Sequence, residues 1–152
     1  MPELGELEDV DLRDVWPDES KDFTPWIASN LSLLNKTLGL ALEFEAVEKS
    51  VGRFRADIVC LNTRDGSRLV IENQLEAADQ KHLGQILIYA AGLDEVTTIV
   101  WIAASFKDEY LDVLDWLNRI TNKRFQFFGL QIELWRIGNS EPAPRLSIVS
   151  KP

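Results

Sequence analysis

Four polar side chains, Glu48, Asp57, Glu72 and Gln74, interrupt strand patterns that are otherwise apolar. Phe54 to Asn62 reads as a strand apolar on both faces. Ala56, Ile58 and Cys60 lie on one side, and Val59 and Leu61 share the other with Asp57. Arg68 to Leu75 reads the same way around Leu69-Val70-Ile71, with Glu72 and Gln74 on one face. Asp65-Gly66 between them is a hairpin signal. A two-residue turn there sets Arg64 against Ser67 and Asp57 against Gln74, with Glu72 on the diagonal. Cβ atoms so placed lie within roughly 5–8 Å. Upstream, Leu42 to Ser50 alternates as a strand. A turn centred on Gly52-Arg53 puts Glu48 opposite Asp57, although a one-residue bulge would shift either register.

Carboxylates held this close raise one another's pKa unless a cation lies between them. Mg²⁺ or Mn²⁺ suits such a site, because a hard cation takes carboxylate, water and phosphate oxygens. It can activate water and stabilise charge on a phosphodiester. The alternative is that Glu48, Asp57 and Glu72 point to water from strand ends.

The elements that must position these residues follow from periodicity. Thr24-Pro25 opens a helix whose Ile27, Leu31, Leu34 and Leu38 form one stripe, and Gly39 closes it. After the three strands, Asp79 caps a helix running to about Leu93, with Leu83, Ile86, Leu87 and Ala90 as its apolar stripe. Val96 to Ala104 is a continuous apolar run suited to mid-sheet. A helix follows over Ser105 to Asn122, then a long strand from Phe125 to Ile137 and a short edge strand over Arg145 to Val149. The order is α-β-β-β-α-β with a further helix and strands, and a right-handed crossover joins the third strand to a parallel fourth. The expected fold is one α/β domain, a mixed sheet flanked by helices.

Charge is unevenly distributed. The net charge is −9, and residues 1–22 hold nine acids against Arg13 and Lys21. This segment lacks apolar periodicity and is expected to be irregular and dispensable for folding, with the folded domain spanning 23–152. It reads either as a solvated tail or as an acidic arm over a nucleic-acid groove. The overall acidity argues against a protein that coats DNA nonspecifically. Cys60 is the sole cysteine and His82 the sole histidine, so an internal disulfide is excluded and no cluster has zinc spacing. The lone cysteine and the absence of a leader-like segment suggest the cytoplasm. No apolar run is long enough for a membrane span. Trp101 and Trp116 read as core, and Trp135 on the last strand suits a homodimer interface as well as packing. Lys49, Arg53, Arg55, Arg64, Arg68 and Lys81 flank the acids. Of these, Arg53, Arg55 and Lys81, with His82, are candidate substrate contacts.

The residues resemble the PD-(D/E)XK nuclease superfamily, whose core has the same element order, a restriction-endonuclease-like fold. Its pattern is an Asp on the second core strand, here Asp57, and Glu-x-Lys on the third, here Glu72-Asn73-Gln74. The branch with RecB-type and NucS-like nucleases adds Gln-x-x-x-Tyr on the next helix, which Gln85 to Tyr89 matches. Glu48, Gly52 to Asp57, Ile71 to Gln74 and His82 to Gln85 are also similar to the motif series of a small bacterial family. The resemblance covers roughly Thr24 to Ala104. It implies a metal-dependent DNA nuclease, acting in defence or repair. Asp57 and Glu72 would bind Mg²⁺ or Mn²⁺, with Glu48 as a further ligand or general base. Gln74 would position water, and Gln85 and Tyr89 would hold the metal shell and substrate. Gln74 stands where the family has lysine. An amide can orient water but adds no charge. Because Gln74 is expected near solvent at a strand end, a lysine there should be tolerated and should retain or increase the activity. The rival expectation is a catalytically silent domain that binds nucleic acid or a protein.

Overall fold

The computed structural model describes residues 1–152. Its centre is β4 (Arg68–Asn73), whose β-branched and aliphatic run is buried on both faces. β3 (Phe54–Asn62) pairs antiparallel with it on one side, and β5 (Val96–Ala103) pairs parallel on the other. β2 (Leu42–Val51) forms one edge of the sheet, and β6 (Gln126–Ile137) lies beyond β5. β7 (Ala143–Ser150) pairs with β6 and is longer than the short edge strand expected. α4 (Gln80–Gly92) and α5 (Asp108–Ile120) cover one face. The other face is covered by α2 (Thr24–Ser29) and α3 (Leu31–Leu38), which break at Asn30 where one helix was expected. Gly39 ends α3 in the left-handed conformation, with φ +68°.

Residues 1–22 are not irregular as expected. β1 (Leu7–Val10) pairs antiparallel with the end of β6, from Leu7 against Ile137 to Val10 against Leu134. β6 is long enough to pair with β5 over residues 126–131 and with β1 over residues 134–137, so β1 continues the ladder where β5 stops. A short helix, α1 (Leu12–Val15), and a π-helical turn over Glu19–Phe23 follow. Trp16, only 4% exposed, sits in the same core as Phe23, Ile58, Ile71 and Val100. Its ring packs on Phe23 and Trp26, with centroids 4.7 and 4.9 Å away. Two or three apolar anchors suffice to dock such a segment, and they need no repeating period. Trp101 is core as expected, but Trp116 is 50% exposed on the outer side of α5. No helix is long and apolar enough to cross a membrane.

Candidate active site

The β3–β4 turn is longer than its Asp65-Gly66 signal suggested. Asn62 N donates to Ser67 O, so four residues form the loop, and Gly66 takes φ +74°. The register is therefore displaced by two residues, with Ile58 against Ile71 and Val59 against Val70. Extending that register puts Asp57 directly opposite Glu72, where Gln74 was expected. A displacement of two preserves the face of every side chain, whereas a displacement of one would have reversed it. Asp57 and Glu72 consequently lie together on the α4 side of the sheet.

The two acids differ in hydration, Asp57 being half-buried and Glu72 almost sealed from water. Glu72 is 2% exposed, and its Oε2 makes no hydrogen bond. Asp57 Oδ2 accepts from Asn73 N at 2.9 Å. Burial is the main cause raising both carboxyl pKa values. For Asp57, the bond from Asn73 opposes the rise and the charge of Glu19 adds to it; for Glu72, the charge of Asp57 comes second and that of Glu19 third. Glu19 is the acid the sequence reading missed. Its Oε1 accepts from Leu75 N at 2.8 Å, which pins the π-helical turn beside the end of β4. Asp18 caps that turn by accepting from Lys21 N at 2.7 Å. The caps and aromatic anchors around Glu19 were the available signal.

Glu48 does fall in the register that places it across from Asp57, with Val47 against Ile58 and Lys49 against Ala56. Its backbone has φ +52°, however, and its side chain is 59% exposed, 3.5 Å from Arg55. The structure thus directs Glu48 to solvent and does not bring it to the pair.

Gln74 is the larger correction. It is 1% exposed, not near solvent. Its Oε1 accepts from Trp101 Nε1 at 2.7 Å, and its Nε2 donates to Ala77 O at 2.9 Å and Asp79 Oδ2 at 3.5 Å. An amide so engaged has no free hydrogen with which to hold water. Tyr89 is likewise buried, and its hydroxyl donates to Arg55 O at 2.6 Å, tying α4 to β3. Burial, then the charges of Glu72 and Asp57, push its phenol pKa up. Gln85 is half-buried on α4 and makes no side-chain hydrogen bond within the chain.

Among the expected substrate contacts, Arg53 and Lys81 are exposed, with Arg53 stacked 5.4 Å over the Phe54 ring. Arg55 is occupied by Glu48. His82 alone approaches the acids, with Nε2 3.8 Å from Glu72 Oε1. Asp79 clamps it. Asp79 Oδ1 accepts from His82 N at 2.9 Å and lies 2.7 Å from Nδ1. No three His, Cys, Asp or Glu side chains form a ready metal cage. Two carboxylates are nevertheless what a Mg²⁺-type site commonly takes from protein, the remainder being water and phosphate. An unbonded buried oxygen on Glu72 and two carboxyls with raised pKa values fit a cation between them. The largest cleft, about 430 Å³, lies elsewhere, beside β1, and Asp9, Asp11 and Glu133 line it.

No family model and no curated protein matches the chain. Among solved structures, a repair endonuclease from Pyrococcus abyssi superposes with a TM-score of 0.50 at 18% identity, over 60% of this chain and 40% of that one. EndoMS, solved as a complex with dsDNA, superposes with a TM-score of 0.53 at 17% identity, over 72% of this chain and 43% of EndoMS. The chain spans less than half the length of either protein. The chain therefore shares the fold of part of these two endonucleases, a single α/β domain built on a mixed sheet between helices.

Proposed function

We propose that the protein is a divalent-metal-dependent DNA nuclease of the PD-(D/E)XK type, acting in the cytoplasm. The observation that carries this reading is that buried Glu72, with its Oε2 unbonded, lies across from half-buried Asp57 in the extended β3–β4 register. Holding two carboxyls this close without a cation costs free energy, and a bound cation would offset that cost. Asp57 and Glu72 would hold Mg²⁺ or Mn²⁺, and the ion would activate water and neutralise charge on a phosphodiester. Glu19 adds negative charge behind the pair, and Asn73 N fixes the Asp57 carboxylate. Exposed Arg53 and Lys81 supply cationic contacts for a DNA backbone. The test is cleavage of single-stranded, double-stranded and branched DNA with Mg²⁺ and Mn²⁺. Activity that disappears in Asp57→Ala and Glu72→Ala supports the reading, and activity that survives either change refutes it.

One observation favours a second reading, a catalytically silent domain that binds DNA or a protein. The lysine position is filled by a glutamine whose polar atoms are already engaged. DNA binding without cleavage by the wild type, under every metal condition, would select this reading.

A further inference from the structure

The proposed reaction leaves open which group orients the attacking water, because the amide of Gln74 is committed. A continuous set of contacts runs from that amide to the carboxyl pair. Trp101 Nε1 donates to Gln74 Oε1 at 2.7 Å, and Gln74 Nε2 reaches Asp79 Oδ2 at 3.5 Å. Asp79 Oδ1 lies 2.7 Å from His82 Nδ1, and His82 Nε2 lies 3.8 Å from Glu72 Oε1. An ionised carboxylate only accepts, so a ring with a single N–H carries that hydrogen on Nδ1. The lone pair of Nε2 then faces the carboxyl pair. Asp79 is fixed from three sides, by the helix cap to His82 N, by the ring and by Gln74. The His82 side chain keeps 15% exposure, so the ring is held by the protein yet reachable by water and substrate.

We propose that His82 Nε2, not Gln74, accepts a hydrogen bond from the attacking water and orients it, and that Asp79 and Gln74 are positioning residues for that ring. This rests on the nuclease reading. It assigns the glutamine in the lysine position a structural task and gives the orienting task to a residue on the next element.

The test combines kinetics with NMR. His82 is the only histidine in the chain, so its ring nitrogens give unambiguous signals in protein labelled with ¹⁵N-histidine. The spectrum should show the Nδ1–H tautomer in the wild type, and the Nε2 resonance should move when a short DNA duplex is added with Ca²⁺. Asp79→Ala should lose the tautomer preference. His82→Ala should lower kcat about a hundredfold, the scale of a lost positioning contact, with KM and Mn²⁺ affinity within about twofold. His82→Gln, whose amide oxygen can reach the place of Nε2, should restore at least about a tenth of the activity. Gln74→Lys should lose activity and the tautomer preference together. Full kcat in His82→Ala, with Asp57→Ala inert, would overturn the assignment to His82 and leave the nuclease reading intact. A Nε2 resonance unmoved by DNA would also overturn it. A wild type inert on every DNA form removes both readings.

Discussion

Two halves of the candidate site lie two residues apart where β4 ends, and they are bonded in opposite ways. Gln74, with Trp101, Ala77 and Asp79, forms a network in which each polar atom of the amide has a partner. Glu72, with Asp57, is equally buried but holds an unbonded oxygen beside a second acid. Folding completes the first half. The second half is left with electrostatic strain that only a positive ligand or a proton relieves. Burial alone therefore does not distinguish a structural polar residue from a functional one; the state of its hydrogen bonds does.

The strongest way to break this comparison is to remove an acid. Asp57→Ala or Glu72→Ala should reduce DNA cleavage about a thousandfold or more, whereas Glu72→Gln should be inactive yet more heat-stable without metal. If Glu72→Gln melts lower than the wild type in chelator, the pair is not strained and the contrast fails. The next effect concerns the segment that carries Glu19. Trp16→Ala should cost about 3–5 kcal/mol, as large aromatic truncations in a core do. A chemical denaturation curve checks it, and a loss below about 1 kcal/mol would restore the tail expectation.

On the saturated half, Gln74→Lys should cost about 1–3 kcal/mol, because Trp101 Nε1 loses its buried acceptor. An unchanged melting temperature would show that the network contributes nothing. The pH dependence comes next. Asp57 and Glu72 have pKa values raised on folding, so the native state holds protons that the unfolded chain releases. Their stabilising contribution is complete below the unfolded carboxylate pKa of about 4 and is lost as pH rises through the raised values. Metal-free protein should therefore melt at progressively lower temperature from about pH 5 to pH 9, and Mg²⁺ should flatten that slope. A slope unchanged in Glu72→Gln would assign it to other groups. The smallest effect is at Glu48. Glu48→Ala removes one exposed ion pair and should change stability by less than about 0.5 kcal/mol. Its Mg²⁺-induced thermal shift should match the wild type; a lost shift would return Glu48 to the site.

The sequence made the Asp57–Glu72 encounter legible because strand alternation has a period of two. The loop after Asn62 was misjudged by two residues, and parity kept both acids on one face. Alternation could not foresee Glu48, since a single left-handed residue turns its side chain outward. Gln74 was misread for a different reason. Its partners, Trp101 and Asp79, belong to other elements, and hydrogen bonds across elements leave no mark in a strand pattern. The N-terminal segment escaped notice because four strand residues and a few aromatic anchors have no repeat to detect, although Val10, Trp16 and Phe23 are all core.

The pairing of β1 with β6 also sets an order of events. Leu7 meets Ile137, so the first strand of the chain waits for the sixth before it can join the ladder. Closing so long a loop costs entropy that only late contacts repay. During synthesis, β2 to β5 can assemble while the early strand still lacks its partner. The segment bearing Glu19 is held downstream by Leu75 N and the core aromatics, and only its upstream end depends on the arrival of β6.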